Sequence, residues 1–184
     1  MLPDYYSLVR ERIMPWQPIS KADHRCFGCG TENPHGLNMN FETDGEKVRT
    51  TVTIPEHLRG WAKLAHGGVT STILDEVMGW ASMYFTNKFP LTRDLSVTFR
   101  KPVFVDQTVV ATGWIKEQKN RRKYLLVGEL HDDQGELLAT SSSEFAMLEK
   151  EQFLNLGLVG EDDLDAMTCT FSSSHNYGHG YSDD

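Results

Sequence analysis

Between Gly68 and Phe85 apolar residues fall on nearly every face of a 3.6-residue repeat: Val69, Ile73, Leu74, Val77, Met78, Trp80, Ala81 and Tyr84. The spacing predicts one long helix over 68–85. A helix that is apolar all round is buried, so the rest of the chain must wrap it. The exception is a narrow stripe of Gly68, Ser71, Thr72, Asp75, Gly79 and Ser82, three or four residues apart. Asp75 therefore lies in a small, polar groove. A carboxylate on a buried helix is costly without a partner or a task. Upstream, His66-Gly67-Gly68 opens the helix. The first N–H groups of a helix have no partner within it and lie at the positive end of its dipole, which suits an electron-rich group.

Strand patterns supply the wrapping. Leu37, Met39 and Phe41 alternate with polar residues, Asp44-Gly45 reads as a hairpin turn, and Val48–Ile54 returns until Pro55. After the helix come Leu95, Val97 and Phe99 in alternation, then Thr108–Ile115, a basic turn at Lys119–Lys123, Tyr124–Leu130, a turn at Asp133-Gln134-Gly135, and Leu137–Met147. One buried helix among antiparallel strands makes the class α+β, with the sheet curled around the helix. A short helix is expected at Asp4–Ile13, ended by Pro15 and Pro18, and a disordered tail at 172–184. The expected organisation is an N-terminal helix and loop (1–24), a central domain (25–148) and a C-terminal extension with an acidic tail (149–184).

Length and composition narrow the function classes. A chain of 184 residues suits one domain with a full core. No stretch approaches a membrane span, and the charged N-terminal segment lacks a signal peptide's apolar region. Three cysteines, an odd number, argue against a secreted disulfide framework, so a cytoplasmic setting is expected. The net charge of −8 disfavours nucleic acid as a partner. That charge gathers at the C-terminus: Glu161, Asp162, Asp163, Asp165, Asp183 and Asp184 face no Lys or Arg after position 160. The acidity therefore says little about the core.

The stretch His66-Gly67-Gly68 with Asp75, followed by Thr92-Arg93-Asp94-Leu95-Ser96-Val97-Thr98-Phe99 and Arg100-Lys101-Pro102, resembles the hotdog-fold acyl-CoA thioesterases over about residues 25–148. The phenylacetate-pathway type and its eukaryotic thioesterase-superfamily relatives are the subgroup it is similar to. The resemblance implies a helix wrapped by an antiparallel sheet, a homodimer or homotetramer, and active sites at the subunit interface. It implies that the Gly68 N–H polarises the thioester carbonyl, that His66 shapes the turn, that Asp75 is general base or nucleophile, and that Thr92 helps hold the attacking water. Some members carry Asn or Gln shortly before the glycines, where this chain has Gly60 and Trp61.

On that reading, partial burial raises the pKa of Asp75 and strengthens it as a base. Glu76 is its neighbour on a more apolar face, and His66 suits an orienting hydrogen bond better than proton transfer. Coenzyme A phosphates suit Arg93, Arg100, Lys101, Arg121, Arg122 and Lys123. Gly67 and Trp61 border the site, and Trp80, Met83, Tyr84 and Phe85 are candidates for the acyl pocket. No cofactor is expected beyond the coenzyme A of the substrate. Cys26-x-x-Cys29 has zinc-ligand spacing, with His24 and His35 nearby, but no second cysteine pair follows and Cys169 is distant. The loop is therefore read as packing, with no metal, and His175 and His179 as tail residues. Two other functions share the fold: an acyl-CoA-binding module without catalysis, and a hydratase or dehydratase, whose usual histidine context is missing here.

Overall fold

The computed structural model describes residues 15–20, 25–157, 159–162 and 164–165. The expected helix at Asp4–Ile13, His24, Cys169, the tail from 172 and its histidines lie outside them. The strands are β1 (Gln17–Ile19), β2 (Phe41–Thr43), β3 (Val48–Thr53), β4 (Phe89–Thr92), β5 (Ser96–Phe99), β6 (Thr108–Asn120), β7 (Lys123–Asp132) and β8 (Leu137–Leu148). The helices are α1 (Gly67–Thr86) and α2 (Lys150–Leu154). One antiparallel sheet runs β1-β2-β3-β6-β7-β8, and β4 and β5 lie end to end along the free side of β8. No helix among the described residues is long and apolar enough to cross a membrane.

Helix α1 matches the sequence expectation to within one residue at each end. It starts on His66, whose extended backbone and side-chain acceptor cap the first turn, and stops at Asn87, which takes the left-handed conformation with φ 54°. Its buried residues include Ile73, Leu74, Val77, Met78, Trp80 and Ala81. They pack on the inward positions of the sheet, among them Phe41, Val48, Val109, Ala111, Leu126, Leu130 and Ala139. The rings of Phe41 and Trp80 stack at 4.7 Å.

The helix rests on a row of small residues. Gly113 pairs with Gly128, and Gly128 with Ser141, across three neighbouring strands. A Cβ on Gly113 would lie 2.8 Å from the Val77 carbonyl oxygen, so the backbones of α1 and β6 touch. That contact fixes how deep the helix lies, and hence where Asp75 stands.

Strand β6 runs past the expected end at Ile115 to Asn120, which leaves only Arg121 and Arg122 in the basic turn, and two other parts of the chain differ from the sequence reading. Leu37 and Met39 do not belong to a strand. Both are buried, but their N–H groups bond to Phe27 O and Gly28 O of the cysteine loop, and Asn38 between them has φ 47°. The alternation there reflects a loop packed beneath the sheet. Strands β1 and β4 were not anticipated, since each contains a proline. Both prolines are tolerated where a strand pairs on one side only. Strand β1 lies before residue 25 and joins the sheet.

Candidate active site

The stripe of small and polar residues on α1 stays half open: Ser71, Thr72, Asp75 and Gly79 are neither buried nor fully exposed. Ser71 and Thr72 donate their hydroxyls to Gly67 O and Gly68 O, one turn back, at 3.0 and 2.9 Å. Ser82 is fully buried and donates to Gly79 O at 2.7 Å. Asp75 is the one stripe residue bound to another element. The hydroxyl of Thr92, at the end of β4, donates to Asp75 Oδ1 at 3.0 Å. Asp75 Oδ2 has no hydrogen bond among the described residues. Burial pushes the Asp75 carboxyl above its ordinary range, and the Thr92 bond offsets part of that rise. An acceptor of raised basicity, with one oxygen held and one open, can take a proton from water.

The N-terminus of α1 is exposed at His66, Gly67 and Gly68. Its N–H groups have distinct fates. His66 N–H donates to Leu58 O, and Val69 N–H to His66 O. Gly68 N–H donates to His66 Nδ1 at 2.9 Å, which leaves any proton of the neutral ring on Nε2. Gly67 N–H has no partner among the described residues. The ring of Phe99, on β5, lies across this end, 3.5 Å from where a Cβ of Gly67 would stand. Phe99 is 54% exposed, and Trp61, in the loop before the helix, is 83% exposed. Phe99 was missed in the sequence because its alternation reads as an ordinary strand. Trp80 and Met83 are buried in the core, whereas Tyr84 and Phe85 are half-buried and meet edge to face at 5.1 Å.

The basic residues divide into two groups. Arg100 and Lys101 donate their N–H groups to Leu138 O at one end of β8, and Arg122 O accepts from Met147 N–H at the other. Nine strand residues separate those ends by about 30 Å. Arg93 pairs with Glu144, which also holds Lys119 at 3.1 Å and Lys123 at 3.6 Å, and Lys101 pairs with Glu136. Arg100, Arg121 and Arg122 make no ion pair among the described residues.

A second cluster lies on the adjoining face of α1. Cys26 Sγ donates to Glu76 Oε1 at 3.7 Å, and Cys29 is buried beside them. Burial and the neighbouring thiol push the Glu76 carboxyl up to about 8. The Cys26 hydrogen bond, then burial, push the Cys29 thiol up as well. His35 is exposed on the same loop, where its N–H donates to the Asn33 side chain. Sequence spacing found both cysteines but not Glu76, which only the packing of loop on helix brings to them.

Residues 62–139 match the model of the thioesterase superfamily. No curated protein sequence matches the chain. Among solved structures, the chain is similar to a thioesterase superfamily protein at 24% identity and TM-score 0.61, covering 67% of this chain and 60% of that one. It thus spans less than two thirds of that relative's length. It is also similar to the Escherichia coli PaaI protein of the phenylacetic acid degradation operon, at 17% identity and TM-score 0.57, covering 61% and 81% of the two chains. A third is a hypothetical thioesterase of Streptococcus pneumoniae solved with coenzyme A, at 16% identity and TM-score 0.51, covering 55% and 78%. The curled antiparallel sheet around one main helix is the hotdog fold of these neighbours.

Proposed function

We propose that this chain, whose residues 62–139 match the thioesterase superfamily model, hydrolyses acyl-coenzyme A thioesters. The observation that carries the reading is the Asp75–Thr92 pair on the polar stripe of α1. In the proposed reaction Thr92 holds Asp75 Oδ1 and leaves Oδ2 for a water. As the water oxygen attacks the thioester carbonyl carbon, Asp75 takes its proton. The carbonyl oxygen becomes an oxyanion, which a helix N-terminus can stabilise through a fixed N–H. Collapse of the intermediate expels the coenzyme A thiolate, which picks up the proton, and leaves the free acid.

The resemblance assigns the carbonyl to the Gly68 N–H. That group already donates to His66 Nδ1, so we assign the carbonyl to Gly67, whose N–H is uncommitted among the described residues. His66 then acts as the cap that holds this turn open.

Helix geometry bears on how many chains a site needs. Gly67 and Asp75 are eight residues apart, about 12 Å along the axis. A water on Asp75 and a carbonyl on Gly67 must meet within about 3 Å. Both groups on one helix would leave the water and the carbonyl stretched to the limit of that span, so we assign the site to Asp75 of one chain and the helix start of a second copy. The β4–β5 edge supports such pairing: residues 91–96 and 98–99 are exposed, including Leu91, Leu95 and Phe99. An apolar, unpaired edge is a surface for another strand. For the phosphates of coenzyme A, Arg100 is the first candidate, because it follows Phe99 at the helix start and has no ion-pair partner among the described residues.

The test is release of free coenzyme A from a panel of acyl-CoA thioesters, followed with a thiol reagent. Asp75→Asn is expected to lower kcat by about 10²–10⁴-fold while acyl-CoA still binds. An unchanged kcat in Asp75→Asn contradicts the mechanism. Binding of every thioester without turnover by the wild type replaces it with a binding module.

A further inference from the structure

Beyond the proposed hydrolysis, the loop beneath α1 forms a second constellation. Cys26 Sγ, Cys29 Sγ and a carboxylate oxygen of Glu76 all lie within 4.8 Å of one another. We propose that these three side chains hold one zinc ion, which ties the Cys26–Gly30 loop to the middle of α1.

The donors fit in type and separation. Two thiolates and a carboxylate are ordinary zinc ligands, and the paired sulfurs favour zinc over magnesium or calcium. With Zn–S near 2.3 Å and Zn–O near 2.0 Å, tetrahedral geometry separates sulfur and oxygen by about 3.5 Å. The distance from Cys26 Sγ to Glu76 Oε1 is 3.7 Å. The cysteines are not joined by a disulfide. A water completes the fourth position.

The loop is shaped for this approach. Cys29 N–H points at Cys26 Sγ at 3.5 Å, and Gly30 N–H closes the turn on Cys26 O at 3.0 Å. A Cβ on Gly28 would lie 2.3 Å from the Glu76 carboxyl carbon, so a glycine is what lets the loop backbone meet the carboxylate. No Lys or Arg forms an ion pair with Glu76 among the described residues. Zinc binding displaces the protons of the two thiols and of the Glu76 carboxyl to solvent. The missing second cysteine pair, which weighed against a metal in the sequence, is replaced by one carboxylate from a helix fifty residues on.

The experiment uses the full chain without a metal-binding tag, stripped by chelator and titrated with zinc alone, then with cobalt(II) in its place. Expected are one zinc per chain and a thiolate-to-cobalt charge-transfer band. Glu76→Gln, which keeps the side-chain shape, should weaken zinc by about tenfold or more. Zinc should also slow alkylation of both Cys26 and Cys29 in the wild type, read peptide by peptide, which needs no variant to fold. Lack of stoichiometric zinc, alkylation indifferent to zinc, or a folded Glu76→Gln that binds as tightly as wild type overturns the proposal. Repeating the titration on Asp75→Asn separates this site from the hydrolytic one, since zinc binding should be unchanged there.

Discussion

At Asp75 the fold holds a carboxylate against its own preference. Burial disfavours the charged form, and Thr92 recovers only part of the loss. Two outcomes follow from the sign. The base must be ionised to work, so kcat/KM should fall as pH drops through a midpoint above the ordinary aspartate range. Thr92→Val removes the bond that lowers this pKa, so its acid limb should move to higher pH; a pH–rate profile of both proteins checks it. For stability the sign reverses. A carboxyl whose folded pKa is raised stabilises the fold below its unfolded value, and loses that contribution as pH rises through the folded one. Asp75→Asn should therefore raise the melting temperature at neutral pH while it lowers turnover. Both outcomes together would assign Asp75 a catalytic role rather than a structural one. Asp75 was legible in the sequence because it is the one carboxylate on the small, polar stripe of an otherwise apolar helix. The place of Phe99 at the helix start and the meeting of Glu76 with the cysteines were not, because each arises only through tertiary contact.

At the scale of elements, α1 was readable almost residue by residue. Its apolar spacing and its glycine start are local signals. The long strands β6 to β8 were legible too, since their inward positions alternate along the chain. The short strands were not, because β1 and β4 are set by the neighbour they pair with and each contains a proline. The depth of the helix is likewise non-local. It depends on Gly113, whose place opposite Val77 no single window of sequence reveals. Gly113→Val would drive a side chain into the α1 backbone, so it should cost roughly 1–3 kcal/mol, and more if the helix cannot shift. Thermal or urea unfolding measures this directly. A shift of the helix in that variant should also reduce turnover, because Asp75 moves away from Thr92.

For the whole molecule, the proposed site divides the residues of one chain between two half-sites. The helix start offers Gly67 N–H beside Phe99, and the base lies two turns along the same helix. A twofold pair of chains would bring each base to the other's helix start and repeat the arrangement twice. That the apolar β4–β5 edge stays open in the single chain is consistent with such a partner. The same geometry bears on the basic residues: the Arg100 and Arg121–Arg122 groups stand at opposite ends of β8, so no single-chain site gathers them around one coenzyme A. The sequence pointed to the residue types but not to their partition, because strand ends adjacent in sequence need not be adjacent in space.

The central claim, that Asp75 of one chain serves the helix start of another, is tested most directly by subunit complementation. Asp75→Asn removes the base. Gly67→Pro removes the one uncommitted N–H at a helix position where proline is tolerated. Each variant alone should be nearly inactive. Mixed, unfolded and refolded together in equal amounts, random pairing yields mixed dimers with one intact site each, and activity should recover to about one quarter of wild type. If mixed dimers form and activity stays at the level of the separate variants, base and donor are required in the same chain, and the shared site is contradicted.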